Sequence, residues 1–164
     1  LTDGRTMRLR PVRPEDEPAF LNFFARLSAE AVRFRFLHPI KHLPHRDAAR
    51  LTQIDYDREM ILVLEQGDSD TGAILCGAVQ VAADPNHESA EFAIVLRDDL
   101  TGLGLEPLMM RRMIEYARSR GIARLHGDVL DDNRSMLRLC EVLGFKRRRD
   151  PDDPGAVKVE LNLK

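Results

Sequence analysis

Three apolar, β-rich runs follow one another through the middle of the chain, and the turns between them are short. The runs are Glu59–Gln66, Ala73–Ala83 and Ser89–Leu96, and the turns are GDSDTG and DPNHE. Parallel strands need a crossover of about a dozen or more residues, so turns of this length allow only antiparallel pairing. The sequence therefore predicts an antiparallel meander within a sheet.

Helical and strand patterns alternate after the meander. Leu105–Arg120 has an apolar stripe at helical spacing and ends at Gly121, which is typical of a helix C-terminus. The other predicted elements are a strand at Thr6–Val12, helices in PEDEPAFLNFFARLS, at Ala29–Phe36 and in HRDAARLTQ, a strand in ARLHGDVL, a helix in NRSMLRLCEVLGF, and a strand in AVKVELNL, with room for another strand near Lys146. This order indicates one α+β domain over residues 1–164, an antiparallel half followed by a β-α-β unit.

Composition excludes several classes of protein. The 164 residues include 43% hydrophobic and 32% charged residues, with a net charge of -2, which argues against a general nucleic-acid or membrane-surface binder. The sequence has neither a membrane-length apolar run nor a signal-peptide pattern. Cys76 and Cys140 lie in apolar surroundings and suggest no disulfide framework, so we expect a cytoplasmic protein. The chain begins at Leu1, which fits either a processed chain or a piece of a larger protein.

A turn containing two glycines precedes the long helix. Gly102 and Gly104 close a polar segment, and backbone N–H groups at a helix N-terminus bind phosphates. Glu106 and Pro107 then follow where such a turn would have a small residue. Proline removes a donor, and a carboxylate near a pyrophosphate costs on the order of 1 kcal/mol. An acid and a proline also suit the first turn of any helix, so a plain strand-to-helix connection remains open.

The order of these elements resembles that of the GNAT family of acyl-CoA-dependent N-acyltransferases. The resemblance rests on the strand, the glycine turn, the long helix, the next strand, and the helix that Asn133 opens and LGF ends. The family's turn usually has the pattern Gln/Arg-x-x-Gly-x-Gly/Ala, and in the aligned residues Thr101–Glu106 only Gly104 matches. The segments LTDGRTMRLRPVRPEDEPAF, RFRFLHPIKHLPH and LTQIDYDREMILVL are similar to the acetyltransferase domain of Pat-type bacterial protein lysine acetyltransferases, which is often fused after a synthetase-like domain.

The resemblance covers nearly the whole chain and implies a fold, a donor and the residues that bind it. The fold is a central, mostly antiparallel twisted sheet flanked by helices, with acyl-CoA bound by the β-α-β unit. The donor is acetyl-CoA, and no metal is implied. Backbone N–H groups would bind the pyrophosphate, the end of the preceding strand would present the thioester with an N–H, and Asn133, an N-cap by composition, would orient the cofactor arm. The residues implied are Gly102, Leu103, Gly104, Leu105 and Glu106 for the pyrophosphate, and Ile94, Val95 and Leu96 for the thioester arm. Whether Glu106 and Pro107 weaken binding stays open.

Glu91 is the candidate general base. It lies in SAEFAIVL, a run apolar on both faces that predicts a central, covered strand. A carboxylate there is costly unless it is paired or functional, and partial burial would raise its pKa toward the value that suits a base near neutral pH. In the similar AEFA segment of the Pat-type family the glutamate is taken as the base. The alternative is a structural carboxylate bound to an arginine such as Arg8 or Arg10. The sequence does not separate direct proton abstraction from relay through water.

For three further features we favour a structural interpretation over a functional one. Cys140 stands where many relatives carry a tyrosine that protonates the leaving thiolate. It shares an apolar stripe with Met136, however, so we expect a buried side chain that fills the core. The thiolate would then take its proton from water. Lys146–Asp150 (KRRRD) predicts a solvated strand edge rather than a nucleic-acid patch. The remaining feature is the histidine group His38, His42 and His45, which lacks accompanying ligands and predicts no metal site.

Three functions are compatible with these residues. The first is acetylation of a protein lysine, with an acyl-CoA synthetase as the partner that the resemblance implies. The second is acetylation of a small amine, and the third is a non-catalytic acyl-CoA-binding regulatory module. Glu91 favours an enzyme, whereas Glu106 and Cys140 favour the module. The segment Ala29–Thr52 would line the approach of a protein acceptor, and its arginines either meet an acidic surface there or only solvate the helices: Arg33, Arg35, Arg46 and Arg50. The sequence does not indicate the oligomeric state or the acyl-chain preference.

Overall fold

The computed structural model of the chain describes residues 7–36, 59–67, 74–150 and 153–163. Within these residues seven strands form one sheet in the order β1-β2-β3-β4-β5-β7-β6. The elements are β1 (Met7–Pro11), α1 (Glu17–Ala25), α2 (Ala29–Phe36), β2 (Glu59–Gln66), β3 (Ile74–Ala83), β4 (Ser89–Leu96), α3 (Leu105–Ser119), β5 (Arg124–Leu130), α4 (Arg134–Val142), β6 (Lys146–Asp150) and β7 (Asp153–Asn162). The helix predicted in HRDAARLTQ lies outside the described residues.

The predicted meander is confirmed. Strands β1 to β4 pair antiparallel with their sequence neighbours, and β2 and β4 have the bounds that the sequence predicts. The strand foreseen near Lys146 is β6, which forms a hairpin with β7 at the edge of the sheet. The mixed α and β architecture with a mostly antiparallel sheet therefore follows the predicted fold class.

Two apolar layers enclose the sheet. On one face, α3 and α4 bury side chains against the centre of the sheet, and the α3 stripe supplies Met109, Met113 and Ala117. On the other face, the phenylalanines of α1 pack against β2 and β3. Leu108, which the helical spacing places on the α3 stripe, is instead 43% exposed. Among the described helices, none is long and apolar enough to cross a membrane.

The pairing of β4 with β5 is short, and this break positions the candidate site. The two strands run parallel and pair only from Ser89 opposite Arg124 to Glu91 opposite His126. Beyond that point β5 pairs with β7 as far as Leu130. The next residue of β4, Phe92, lies over Gly127, where an added Cβ would come within 2.7 Å of the ring. Beyond Glu91 the two strands therefore diverge and leave a cleft between their carboxyl ends.

A buried charge network holds the far edge of the sheet. Glu65 on β2 is 0% exposed and accepts hydrogen bonds from Arg8 Nε at 2.8 Å and Arg10 Nε at 3.0 Å. Arg10 also donates through both terminal nitrogens to Asp16, at 2.8 Å each. Burial alone would raise the pKa of Asp16, but hydrogen bonds from Arg10 and the Arg13 N–H outweigh it and lower that pKa. The two carboxylates also raise the pKa of Arg10, so this guanidinium stays charged at neutral pH.

Candidate active site

The cleft between β4 and β5 opens into a groove of about 510 Å³. Its walls come from the end of β4, the glycine turn and the start of α4. Most of the residues predicted for the site line this groove: Ile94, Val95, Leu96, Gly102, Glu106 and Asn133. These residues are distant in sequence and meet because α3 returns the chain to the sheet beside β4.

The glycine turn is shaped by two left-handed residues. Gly102 has φ 79° and Gly104 has φ 83°, a region that other L-residues enter only at a cost. Gly104 is the N-cap of α3 and has no side chain that could cap that end, which leaves the first N–H groups of the helix for a ligand. Leu105 is buried and anchors the helix, whereas Leu103 is 45% exposed. Hence Leu103, Gly104 and Leu105 contribute backbone groups and turn geometry.

The start of this turn is fixed to the helical layer. The carboxylate of Asp98 accepts hydrogen bonds from the Ser28 N–H at 3.1 Å and from Ser28 Oγ at 3.0 Å. Ser28 precedes α2, and Glu30 and Ala31 of that helix also line the groove. The N-terminal helices are therefore coupled to the loop that begins the glycine turn.

Glu106 is half-buried and its side chain lines the groove. Burial raises the pKa of this carboxyl above its usual range. A negative charge beside this turn would oppose an anion bound there, although the helix dipole favours the same charge. The groove thus contains one group that disfavours a bound phosphate.

Asn133 has the N-cap role that its composition predicts. Its side-chain oxygen accepts a hydrogen bond from the Met136 N–H at 3.4 Å at the start of α4. The same side chain lines both the groove and a smaller cavity of about 90 Å³. Asn133 therefore stands where the two spaces join.

Glu91 lies in the smaller cavity, but the expectation that it is covered is wrong. Its side chain is exposed, because pairing with β5 ends at this residue and its neighbour on β3 is the small Ala82. The structure also contradicts the alternative that Arg8 or Arg10 binds it. Both guanidinium groups bind Glu65, two strands away from β4. Glu91 is therefore open to water and to an incoming molecule.

Two charged residues share the smaller cavity with Glu91. Arg35 of α2 donates to Gln80 Oε1 at 2.9 Å, and burial lowers the pKa of its guanidinium while the charge of Glu91 opposes that change. Asp128 of β5 is exposed on the opposite wall. The sequence predicts Arg35 only for the approach of an acceptor and gives Asp128 no role. The alternation of buried and open residues along β5 is the signal that could have found Asp128. The side chains of Arg33, Arg46 and Arg50 lie outside the described residues.

The burial of Cys140 and the exposed edge strand at Lys146–Arg149 are as the sequence predicts. Cys140 is 0% exposed, and burial raises the pKa of its thiol to about 11, so it is a packed side chain rather than a nucleophile. The basic side chains of Lys146–Arg149 are exposed on the edge strand β6. Within the described ranges, no group of His, Cys, Asp and Glu residues could hold a metal ion. The residues His38, His42 and His45 are outside those ranges.

Comparison with known proteins agrees with this geometry. Residues 6–146 match the acetyltransferase (GNAT) domain family. The chain belongs to the GNAT acetyltransferases. An acetyltransferase of Pseudomonas aeruginosa is 37% identical, over 99% of this chain and 87% of that protein. The acetyltransferase Pat of Mycolicibacterium smegmatis is 30% identical, over 98% of this chain and 46% of that protein.

Solved GNAT structures superpose on nearly all of the chain. The GNAT domain of S. lividans PAT has a TM-score of 0.85 at 25% identity, covering 98% of this chain and 92% of that one. A Vibrio cholerae spermidine N-acetyltransferase, crystallised with CoA and spermine, has a TM-score of 0.74 at 18% identity, covering 96% and 95%. The second likeness concerns the fold alone. Activity as a GNAT acetyltransferase follows from the family, and the acceptor has to be argued from the site.

Proposed function

We propose that this chain acetylates lysine side chains of a protein, with acetyl-CoA as donor and Glu91 as general base. The observation that carries the proposal is the position of Glu91 in an open cavity that shares Ile94, Asn133 and Met136 with the large groove. A donor in the groove would place its thioester at this junction. An acceptor amine reaching Glu91 would then meet the thioester from the open side.

The donor is held by backbone groups. The pyrophosphate binds the N–H groups of Gly102–Glu106, where the left-handed glycines turn the chain and the α3 dipole favours negative charge. The thioester carbonyl accepts a hydrogen bond from an N–H at Ile94–Leu96, which stabilises the oxyanion as it forms. Asn133 orients the arm between these two points.

The acyl transfer itself moves protons at two atoms, the acceptor nitrogen and the thiolate sulfur. The nitrogen loses one proton to Glu91 before it attacks and a second to water as its bond to the thioester carbon forms, and the carbon–sulfur bond breaks. Because Glu91 is exposed, its proton can pass on to bulk water. The thiolate takes its proton from water, since Cys140 is fully buried and cannot reach it.

Replacing Glu106 by glutamine tightens acetyl-CoA binding at neutral pH by about tenfold, corresponding to ~1.4 kcal/mol. The side chain keeps its size and helix propensity, and the repulsion of the phosphates is removed. Burial raises the pKa of Glu106, so protonation at falling pH removes the same repulsion in the wild type. Calorimetric dissociation constants should therefore differ most at high pH and converge as the pH falls.

The matched control is Glu115→Gln on the same helix. Glu115 is exposed, and the change alters the net charge equally without touching the groove. We expect it to leave the affinity unchanged. Equal affinities for wild type and Glu106→Gln at every pH would mean that Glu106 does not meet the phosphates.

The nature of the acceptor is supported by likeness to Pat-type lysine acetyltransferases in the N-terminal segments. It can be tested by incubating the chain with isotope-labelled acetyl-CoA, an acyl-CoA synthetase and a panel of small amines. We expect label on one or a few synthetase lysines, read by mass spectrometry, and neutralisation of their charge. Transfer to a small amine alone would replace this proposal by the second function. Tight donor binding without any transfer would favour the regulatory module.

A further inference from the structure

Asp128 occupies the wall of the cleft that faces Glu91. Along β5 the residues Leu125, Gly127 and Val129 are buried against the core, so the intervening residues His126 and Asp128 share the opposite face. His126 is the last residue of β5 that pairs with β4. Asp128 lies just beyond that pair, and its exposed side chain borders open space instead of a β4 neighbour.

The space between Asp128 and Glu91 is continuous with the groove assigned to the donor. The cavity of about 90 Å³ and the groove share Ile94, Asn133 and Met136. Ile94 belongs to the strand end that would present the thioester. A molecule entering the cavity therefore reaches the reacting carbon from the side opposite the pyrophosphate turn.

The charged residues that line the cavity would complement a single bound cation. Two carboxylates, Glu91 and Asp128, line it together with the guanidinium of Arg35. Arg35 also donates to Gln80 Oε1 at 2.9 Å, which fixes its charge at the α2 side of the cavity. Among the described residues that line the cavity, the balance is one negative charge, and a primary ammonium at the tip of an aliphatic arm complements it.

Resting on the proposed function, we propose that Asp128 binds the acceptor ammonium across the cleft from Glu91. An ammonium between the two carboxylates donates one N–H to each. Glu91 removes a proton, and the neutral amine rotates its lone pair toward the thioester carbon while a remaining N–H stays hydrogen-bonded to Asp128. Asp128 is thus the anchor and Glu91 the base.

The atoms balance over the whole step. The ammonium loses two protons, one before attack and one as the carbon–nitrogen bond forms. One of them reaches solvent through Glu91, and the other replaces the proton that water supplies to the thiolate. The product amide is neutral and keeps a single N–H, so its attraction to Asp128 falls and the product leaves.

The test compares Asp128→Asn, Asp128→Glu and the control Asp131→Asn. Asp131 is exposed and does not line either space, so its variant makes the same charge change outside the cleft. We expect Asp128→Asn to raise the KM for the acceptor amine at least about tenfold, as loss of a charge-assisted hydrogen bond does. Donor affinity by calorimetry and the melting temperature should stay at wild-type values. Asp128→Glu should recover much of the acceptor KM.

Varying the charge of the acceptor peptide separates a role of Asp128 in acceptor recognition from a structural effect of the substitution. A lysine peptide and the same peptide with norleucine at that position are compared as inhibitors of transfer. The wild type should prefer the lysine peptide, and Asp128→Asn should lose most of that preference. An unchanged KM and preference in an active Asp128→Asn variant would overturn the role of Asp128 and leave the proposed function intact. Absence of transfer to any amine by the wild type would overturn both.

Discussion

Replacing Glu91 by glutamine lowers turnover by roughly a hundredfold or more, as the loss of a general base does. Glutamine keeps the size and hydrogen bonding of the side chain but cannot accept the proton. The residue is exposed and lies at the point where β4 and β5 separate, so the change removes no core packing. Acetyl-CoA affinity and the melting temperature should therefore match those of the wild type.

The measurement is the steady-state rate of CoA release with a saturating acceptor, followed against pH. The rate of the variant should stay far below that of the wild type at every pH where the wild type is active. Glu88→Gln is the control, because Glu88 is an exposed carboxylate just before the same strand and lines neither space. Near-normal turnover of Glu91→Gln would show that another group, or water alone, takes the proton.

Replacing Arg10 by methionine lowers the free energy of unfolding by about 3–5 kcal/mol, the range for removing one partner of a buried ion pair. Glu65 is 0% exposed, and the variant leaves it with Arg8, whose side chain is 58% exposed. Asp16 loses both of its 2.8 Å bonds to the guanidinium and keeps the Arg13 N–H at 2.7 Å. The variant therefore leaves two buried carboxylates with fewer partners.

Urea denaturation at neutral pH measures this loss, with Arg8→Met as the control. The exposed Arg8 should cost about 1 kcal/mol or less. Because the network lowers the pKa of Asp16, its stabilisation is present above the unfolded pKa of that group and is lost as the pH falls through the folded pKa. The difference between wild type and Arg10→Met should then narrow in acid. Equal losses for the two arginine variants would contradict the account of the network.

The sequence predicts the meander better than it predicts the cleft. Strands β2 and β4 are mostly apolar runs bounded by turn residues, so local pattern alone determines their limits. The early start of β7 at Asp153 was missed, because it depends on pairing with Asp150 across the hairpin. The local sequence pattern predicts that a strand exists, whereas pairing with a neighbouring strand decides how far it extends.

The wrong expectation for Glu91 has a physical cause. Apolar residues on both faces of a strand indicate that other elements pack on both faces. They do not show at which residue the pairing with the neighbouring strand ends. That departure involves Phe92 lying over Gly127, two residues that are far apart in sequence. Asp128 was missed for the same reason, since its importance comes from the wall that it faces. The partner of Arg10 likewise depends on the packing of β1 against β2.

A crystal structure of the acetyl-CoA complex tests the central claim most directly, that acetyl transfer takes place where β4 and β5 diverge. We predict the pyrophosphate on the backbone N–H groups of Gly102–Glu106 and the thioester carbonyl on an N–H of Ile94–Leu96. The acetyl carbon should face the cavity between Glu91 and Asp128. An acetyl group outside this cleft, or a pyrophosphate bound away from the start of α3, would contradict the account.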